Sequence, residues 1–204
     1  MKLFKGLVVM LVAAAAMPAL PAAAQNQKAS AFVQKLADDA VDLLQSGKKG
    51  ESRDAEFRAL MARGFDVGFL GRQALGRYWR TASESERQTY QTVFKDYMLR
   101  TITSRLSRFE HEKLNVTGQR PGPRDDTVVE SQIVGDGEPI AMEWLVRPMD
   151  DGLKIIDVKL EGVSMLITTR DEFGSIVQSK GVQGLLDAMK AKIEVMKAQS
   201  DASG

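Results

Sequence analysis

The sequence contains no cysteine and a single histidine, His111. Thiolate nucleophiles, disulfide staples and cysteine-bound zinc are therefore excluded, and a catalytic triad or a multi-histidine metal site lacks its usual residues. Net charge is missing too: 28 Lys+Arg stand against 27 Asp+Glu over 204 residues, which argues against nucleic-acid binding driven by bulk charge. No G-x-S-x-G elbow surrounds Ser164, and the glycines at 64, 68, 71 and 76 are followed by no Lys-Ser or Lys-Thr. Neither a serine-hydrolase site nor a phosphate-cradling loop is indicated. What is present, 44% hydrophobic and 27% charged residues, is the composition of a water-soluble globular protein of a length that suits one domain.

Lys2 and Lys5 precede an apolar run from Gly6 to Ala16, and Pro18, Pro21 and Ala22-Ala23-Ala24 follow before Gln25. This is the order of a signal peptide, with cleavage expected after Ala24 and a mature chain over 25–204. The run is short of the roughly 20 residues that span a bilayer, and no cysteine follows the site to carry a lipid anchor. Loss of Lys2 and Lys5 from the 28 basic residues leaves 26 against 27 acidic ones, so the exported chain is nearly neutral.

Periodicity then divides the chain. Apolar residues from Phe32 to Leu44 recur at three- and four-residue spacings and predict an amphipathic helix over 28–45, with a shorter one over 54–63. The glycine-punctuated stretch from Gly64 to Trp79 reads as short helical turns. Ser83-Glu84-Ser85-Glu86 is a capping box and predicts a long helix to about Glu110, with Tyr90, Phe94, Tyr97, Met98, Ile102 and Leu106 on one stripe and Arg100, Arg105 and Arg108 snorkelling beside it. The period then changes to two, with candidate strands at 113–120, 126–135, 138–147 and 153–160 and turns at Asp136-Gly137 and Asp150-Asp151-Gly152. Ile140, Met142, Trp144 and Val146 face one way in the third strand, as do Ile156, Val158 and Leu160 in the fourth. Two further helices, 164–179 and 182–198, precede a polar tail expected to fray. Helices, a meander of four antiparallel strands and more helices predict one α+β domain.

Few residues could support chemistry. His111, between Glu110 and Glu112, cannot converge with its sequence neighbours on one point of a helix, and it is read as complementing the helix dipole. The pairs Asp38-Asp39, Asp125-Asp126 and Asp150-Asp151 read as solvated acids and turn formers, and Ser164 as a helix N-cap. No metal site and no catalytic set emerges. Seven methionines beyond the signal segment, at 61, 98, 142, 149, 165, 189 and 196, could line a site whose ligand varies in shape or could pack an ordinary core. On pattern alone, carrier and generic domain stay open.

Several blocks carry a resemblance: Phe65-Asp66, the run from Leu75 to Ser83 containing Gly76-Arg77-Tyr78-Trp79-Arg80, Val146-Arg147, and the run from Asp157 to Met165 containing Glu161-Gly162-Val163-Ser164. Thr169-Arg170-Asp171-Glu172-Phe173 and the run from Lys180 to Leu185 belong with them. In order and spacing, over about 32 to 195, they resemble the MlaC family, also called the toluene-tolerance auxiliary family, of periplasmic phospholipid-binding proteins. The resemblance implies a nuclear-transport-factor-like sheet with a helical extension, enclosing a deep apolar cavity for acyl chains, with the head group near the mouth. It implies a periplasmic shuttle between an outer-membrane lipoprotein complex and an inner-membrane ABC transporter bearing a periplasmic lipid-binding ring, in a pathway that maintains outer-membrane lipid asymmetry. Phospholipid is then cargo rather than cofactor, and the carrier catalyses no reaction.

Convergence of the helix stripe and the strand alternation places the expected lining at Phe94, Tyr97, Met98, Met142, Trp144, Val146, Ile156, Val158 and Leu160. Arg77, Arg80, Arg147 and Arg170 fall inside the resemblance blocks and suit carboxylate pairing or phosphate contact, with the structural role preferred. The segment from Gly64 to Gly76 and the helix from Ser164 to Ser179 are the candidate movable walls. A catalytic relative would need acid and base groups converging inside the cavity. A cell-envelope interaction module without lipid cargo would have a solid core.

Overall fold

In the computed structural model, residues 22–106 and 112–202 are described; His111, Arg108, Phe109 and the part of the expected signal peptide before Ala22 lie outside them. Helix α1 (Ala22–Gln45) starts about a turn and a half earlier than its apolar stripe requires. Ala29, Val33, Leu36, Ala40 and Leu44 are its buried face. Helix α2 (Gly50–Gly64) buries Phe57, Leu60 and Met61. The glycine-punctuated stretch resolves into α3 (Val67–Leu75) and the single turn α4 (Tyr78–Thr81). Asp66 caps α3 by accepting the Phe69 amide at 2.8 Å.

Helix α5 (Glu84–Leu106) begins at the predicted capping box. The Glu86 amide donates to the Ser83 hydroxyl at 3.2 Å and the Ser83 amide donates to the Glu86 carboxylate at 2.8 Å. Strands β1 (Lys113–Pro121), β2 (Thr127–Val134), β3 (Ile140–Met149) and β4 (Gly152–Leu160) follow as read from the alternation. A fifth strand, β5 (Val163–Ser164), corrects the expected count of four. Two residues are too few to leave an alternating pattern. The sheet is an antiparallel meander in the order β1-β2-β3-β4-β5. Its pairing brings Lys113, Val134, Ile140, Leu160 and Val163 to one end, and Pro121, Thr127, Met149 and Gly152 to the other.

The two predicted C-terminal helices form one run, α6 (Met165–Ala202), broken only at Gly181, whose φ of 70° and ψ of 177° are nearly glycine-only. The polar tail, expected to fray, is helical through Ala202, and the Ser200 hydroxyl donates to Asp54 of α2 at 2.7 Å. Helix α1 covers edge strand β1, since Gln34 donates to the Leu114 carbonyl at 3.0 Å and accepts the Val116 amide at 3.1 Å. Helices α5 and α6 are joined by rings. Phe173 meets Phe94 edge-on at 6.2 Å and Tyr97 at 5.9 Å, and Tyr90 stacks on Phe94 at 5.6 Å. Burial pushes the Tyr90 phenol pKa far up, and its hydroxyl donates to the Gly71 carbonyl at 3.0 Å.

Candidate functional site

Between the inner face of the sheet and the helices lies a cavity of about 330 Å³. A water occupies ~30 Å³ of liquid, so this is far more than a packing defect. The floor comes from the sheet: Leu114 of β1, Ile133 of β2, Met142 and Trp144 of β3, Val158 and Leu160 of β4. Helix α1 contributes Val33, Leu36, Ala40 and Leu44, and α5 contributes Phe94, Tyr97, Met98 and Ile102. Met61, Phe65, Leu70 and Ala74 close the inner end. Of the polar groups on the sheet floor, the Trp144 indole N–H is satisfied by the Ser131 hydroxyl at 2.8 Å, and the carboxylate of Asp157, which also lines the cavity, accepts from Ser164 and Leu166.

Seven of the nine expected lining residues meet here: Phe94, Tyr97, Met98, Met142, Trp144, Val158 and Leu160. Val146 and Ile156 do not. A bulge between Leu145 and Val146 sets Leu145 opposite Asp157 and Val146 opposite Ile155, so the alternation loses step along β4. Val146 and Ile155 pass into the solid core, where Ile155 bridges Phe65. Ile156 is buried away from the lining. The methionines divide likewise: Met61, Met98, Met142 and Met165 line the cavity, whereas Met189 and Met196 are packed elsewhere.

The polar lining gathers at the sheet end that carries Lys113 and Val163. Thr101 and Arg105 of α5, Glu112, Lys113, and Thr168, Thr169 and Glu172 of α6 form a mouth. Burial pushes the Tyr97 phenol pKa up, the Glu172 carboxylate adds to the rise, and the Arg105 charge opposes it. Arg105, read from the sequence as a snorkelling residue, reaches no ion-pair partner among the described residues and holds only the Met165 sulfur at 3.8 Å.

Asp157, assigned by alternation to the solvent face, instead anchors the start of α6. Its carboxylate accepts the Ser164 hydroxyl at 2.6 Å and the Leu166 amide at 3.2 Å. Ser164 caps the helix as expected, accepting the Ile167 amide at 3.1 Å. Only the block from Asp157 to Met165 marked Asp157 in the sequence.

None of the four arginines singled out in the resemblance blocks lines the cavity. Arg147 forms a two-pronged pair with Asp126 at 2.7 Å and lies 5.1 Å from the Phe69 ring centre. Asp126, expected to be solvated, has a side chain only 2% exposed. Arg170 donates to the Gln73 carbonyl at 2.8 Å, and Arg77 to the Tyr78 hydroxyl at 2.8 Å. Among the described residues no three histidine or acidic side chains could together hold a metal ion, and no helix is long and apolar enough to cross a membrane.

The sequence matches the profile of the MlaC protein family over residues 34–191. Its fold is that of a solved structure described as the phospholipid-binding protein from Ralstonia solanacearum in complex with a phospholipid. The two superpose with a TM-score of 0.69 at 23% identity, over 83% of this chain and 98% of that one.

Proposed function

Because this chain belongs to the MlaC family, we propose that it is a periplasmic phospholipid carrier, with the acyl chains in the cavity and the head group at the polar mouth. The observation that carries this reading is the segregation of the lining, hydrocarbon over most of the interior with most of the polar groups at one end. Two acyl chains contain ~30 methylene groups, and at ~0.8 kcal/mol each their exposure costs ~25 kcal/mol, so unassisted passage through water is negligible. A carrier must match that burial closely without exceeding the affinity of a bilayer, or it would not release its cargo. Walls of Met, Val and Leu with few fixed polar contacts suit that balance.

In this reading residues 1–24 direct export and are removed, and the chain from Gln25 moves lipid between an outer-membrane lipoprotein complex and an inner-membrane ABC transporter with a periplasmic lipid-binding ring. That traffic maintains outer-membrane lipid asymmetry. The role proposed is binding and transfer rather than catalysis. The test is native mass spectrometry of the gently purified chain, followed by lipid extraction. A phospholipid-bound mass is expected. A chain that is always free of lipid, including after incubation with vesicles, would overturn the proposal.

A further inference from the structure

The mouth carries two chemically different sets of groups. One is the cations Arg105, at the end of α5, and Lys113, the first residue of β1. Neither has an ion-pair partner among the described residues, and the Arg105 guanidinium rests on the sulfur of Met165 at the start of α6, a weak acceptor. The other comes from α6, which presents Thr168, Thr169 and Glu172. The Thr168 hydroxyl donates to the Ser164 carbonyl at 3.0 Å and the Thr169 hydroxyl to the Met165 carbonyl at 2.8 Å. With those protons committed, what both hydroxyls turn toward the opening is lone pairs. Thr101 is committed in the same way, to the Tyr97 carbonyl at 2.7 Å. The α6 wall is therefore an acceptor wall. Glu112 also lies on the rim, but its side chain packs over Gly135 of the β2–β3 turn, beside Lys113. Among the described lining residues two cations, Arg105 and Lys113, stand against three carboxylates, Glu112, Asp157 and Glu172, so the lining holds no excess of positive charge.

Resting on the phospholipid reading above, we propose that this mouth prefers zwitterionic over anionic head groups, with Arg105 and Lys113 taking the phosphate and Glu172 with the threonine oxygens taking the terminal ammonium. Phosphate suits a guanidinium with free donors, and an ammonium needs acceptors only, which is what the α6 wall supplies. A head group that ends in a hydroxyl keeps the phosphate contact but brings net negative charge to a lining with no excess of positive charge and leaves Glu172 unpaired.

The test loads the lipid-stripped chain from vesicles of equimolar phosphatidylethanolamine and phosphatidylglycerol with identical acyl chains, then quantifies the lipid recovered with the protein. The ethanolamine lipid should be enriched about threefold, the order of one half-exposed ion pair. Glu172→Gln should bring the ratio close to one by lowering uptake of the ethanolamine lipid while uptake of the glycerol lipid holds, and Arg105→Gln should lower the retention of both lipids. Normal loading at the vesicle ratio in the unaltered chain, or enrichment that survives Glu172→Gln, overturns the inference and leaves the carrier reading standing. Absence of lipid from every preparation overturns both.

Discussion

Val146 and Val158 occupy equivalent-looking alternating positions in the sequence, yet they stand in different surroundings. Val158 lines the cavity, whereas Val146 is 1% exposed in the close-packed core. Val158→Trp is therefore expected to fill space meant for cargo, lowering the lipid-bound fraction in native mass spectrometry with little change in melting temperature. Val146→Trp has no free volume to enter and should cost ~1–3 kcal/mol by overpacking. Its melting temperature should fall while its folded fraction still takes up lipid. The opposite pattern would move the cavity wall to Val146. The sequence could not separate the two, because alternation assumes regular register and a bulge has no composition of its own. Arg147 gives a second residue-scale prediction. Removing it strands the buried Asp126 carboxylate, so Arg147→Met is expected to destabilise the fold by ~3 kcal/mol or more, a loss read by urea denaturation. Lipid bound per folded molecule should not change, since Arg147 touches no part of the cavity.

Among the elements, α6 is the wall whose start is tied to the sheet by side-chain hydrogen bonds. Its first turn hangs on Asp157 and Ser164, while Met165 and Leu166 reach the lining. Asp157→Ala removes the acceptor for the Ser164 hydroxyl and the Leu166 amide at the start of α6, and for the Val158 amide; the expected result is faster passage of a fluorescent phospholipid to acceptor vesicles, with hydrogen exchange raised at the start of α6. Raised exchange with unchanged transfer would show that this helix does not gate the mouth. Helix α2 is tied to α5 by charge: Glu51 accepts from Arg58 and, at 3.3 Å, from Arg100. Partial burial pushes the Glu51 carboxyl up, but the hydrogen bonds and charges of Arg100 and Arg58 outweigh it and hold it below its ordinary value. A carboxyl depressed in the folded state stabilises fully above its unfolded pKa and loses that contribution as pH falls through the folded value. Glu51→Gln should therefore flatten the decline in melting temperature below about pH 4 and lower the plateau slightly. Helix starts were legible where side chains act on their own neighbours, as at Ser83 and Ser164. The unbroken tail of α6 was not, because what holds it is Asp54, far away in sequence.

For the molecule as a whole, fold class and strand positions were readable, since one-sided burial imposes a period on each element. The cavity was not readable from pattern. A stripe of apolar side chains records which way an element faces, not how far away its partner stands, so a filled core and a hollow one share the same periodicity. The hollow entered through the resemblance blocks alone. The meander also governs how the chain folds. Each strand pairs with its neighbour in sequence, and only Asp150 and Asp151 separate β3 from β4, so the sheet closes short loops. Gln34, by contrast, reaches strand residues 80 and 82 positions away. Loop-closure entropy favours assembly of the sheet before α1 docks, which leaves a bare apolar trough for that interval and makes it the step most exposed to aggregation. In stopped-flow refolding, destabilising substitutions in the β3–β4 hairpin should slow folding, whereas Gln34→Ala should hardly change the folding rate and should speed unfolding. The reverse ranking would put the docking of α1 ahead of the sheet.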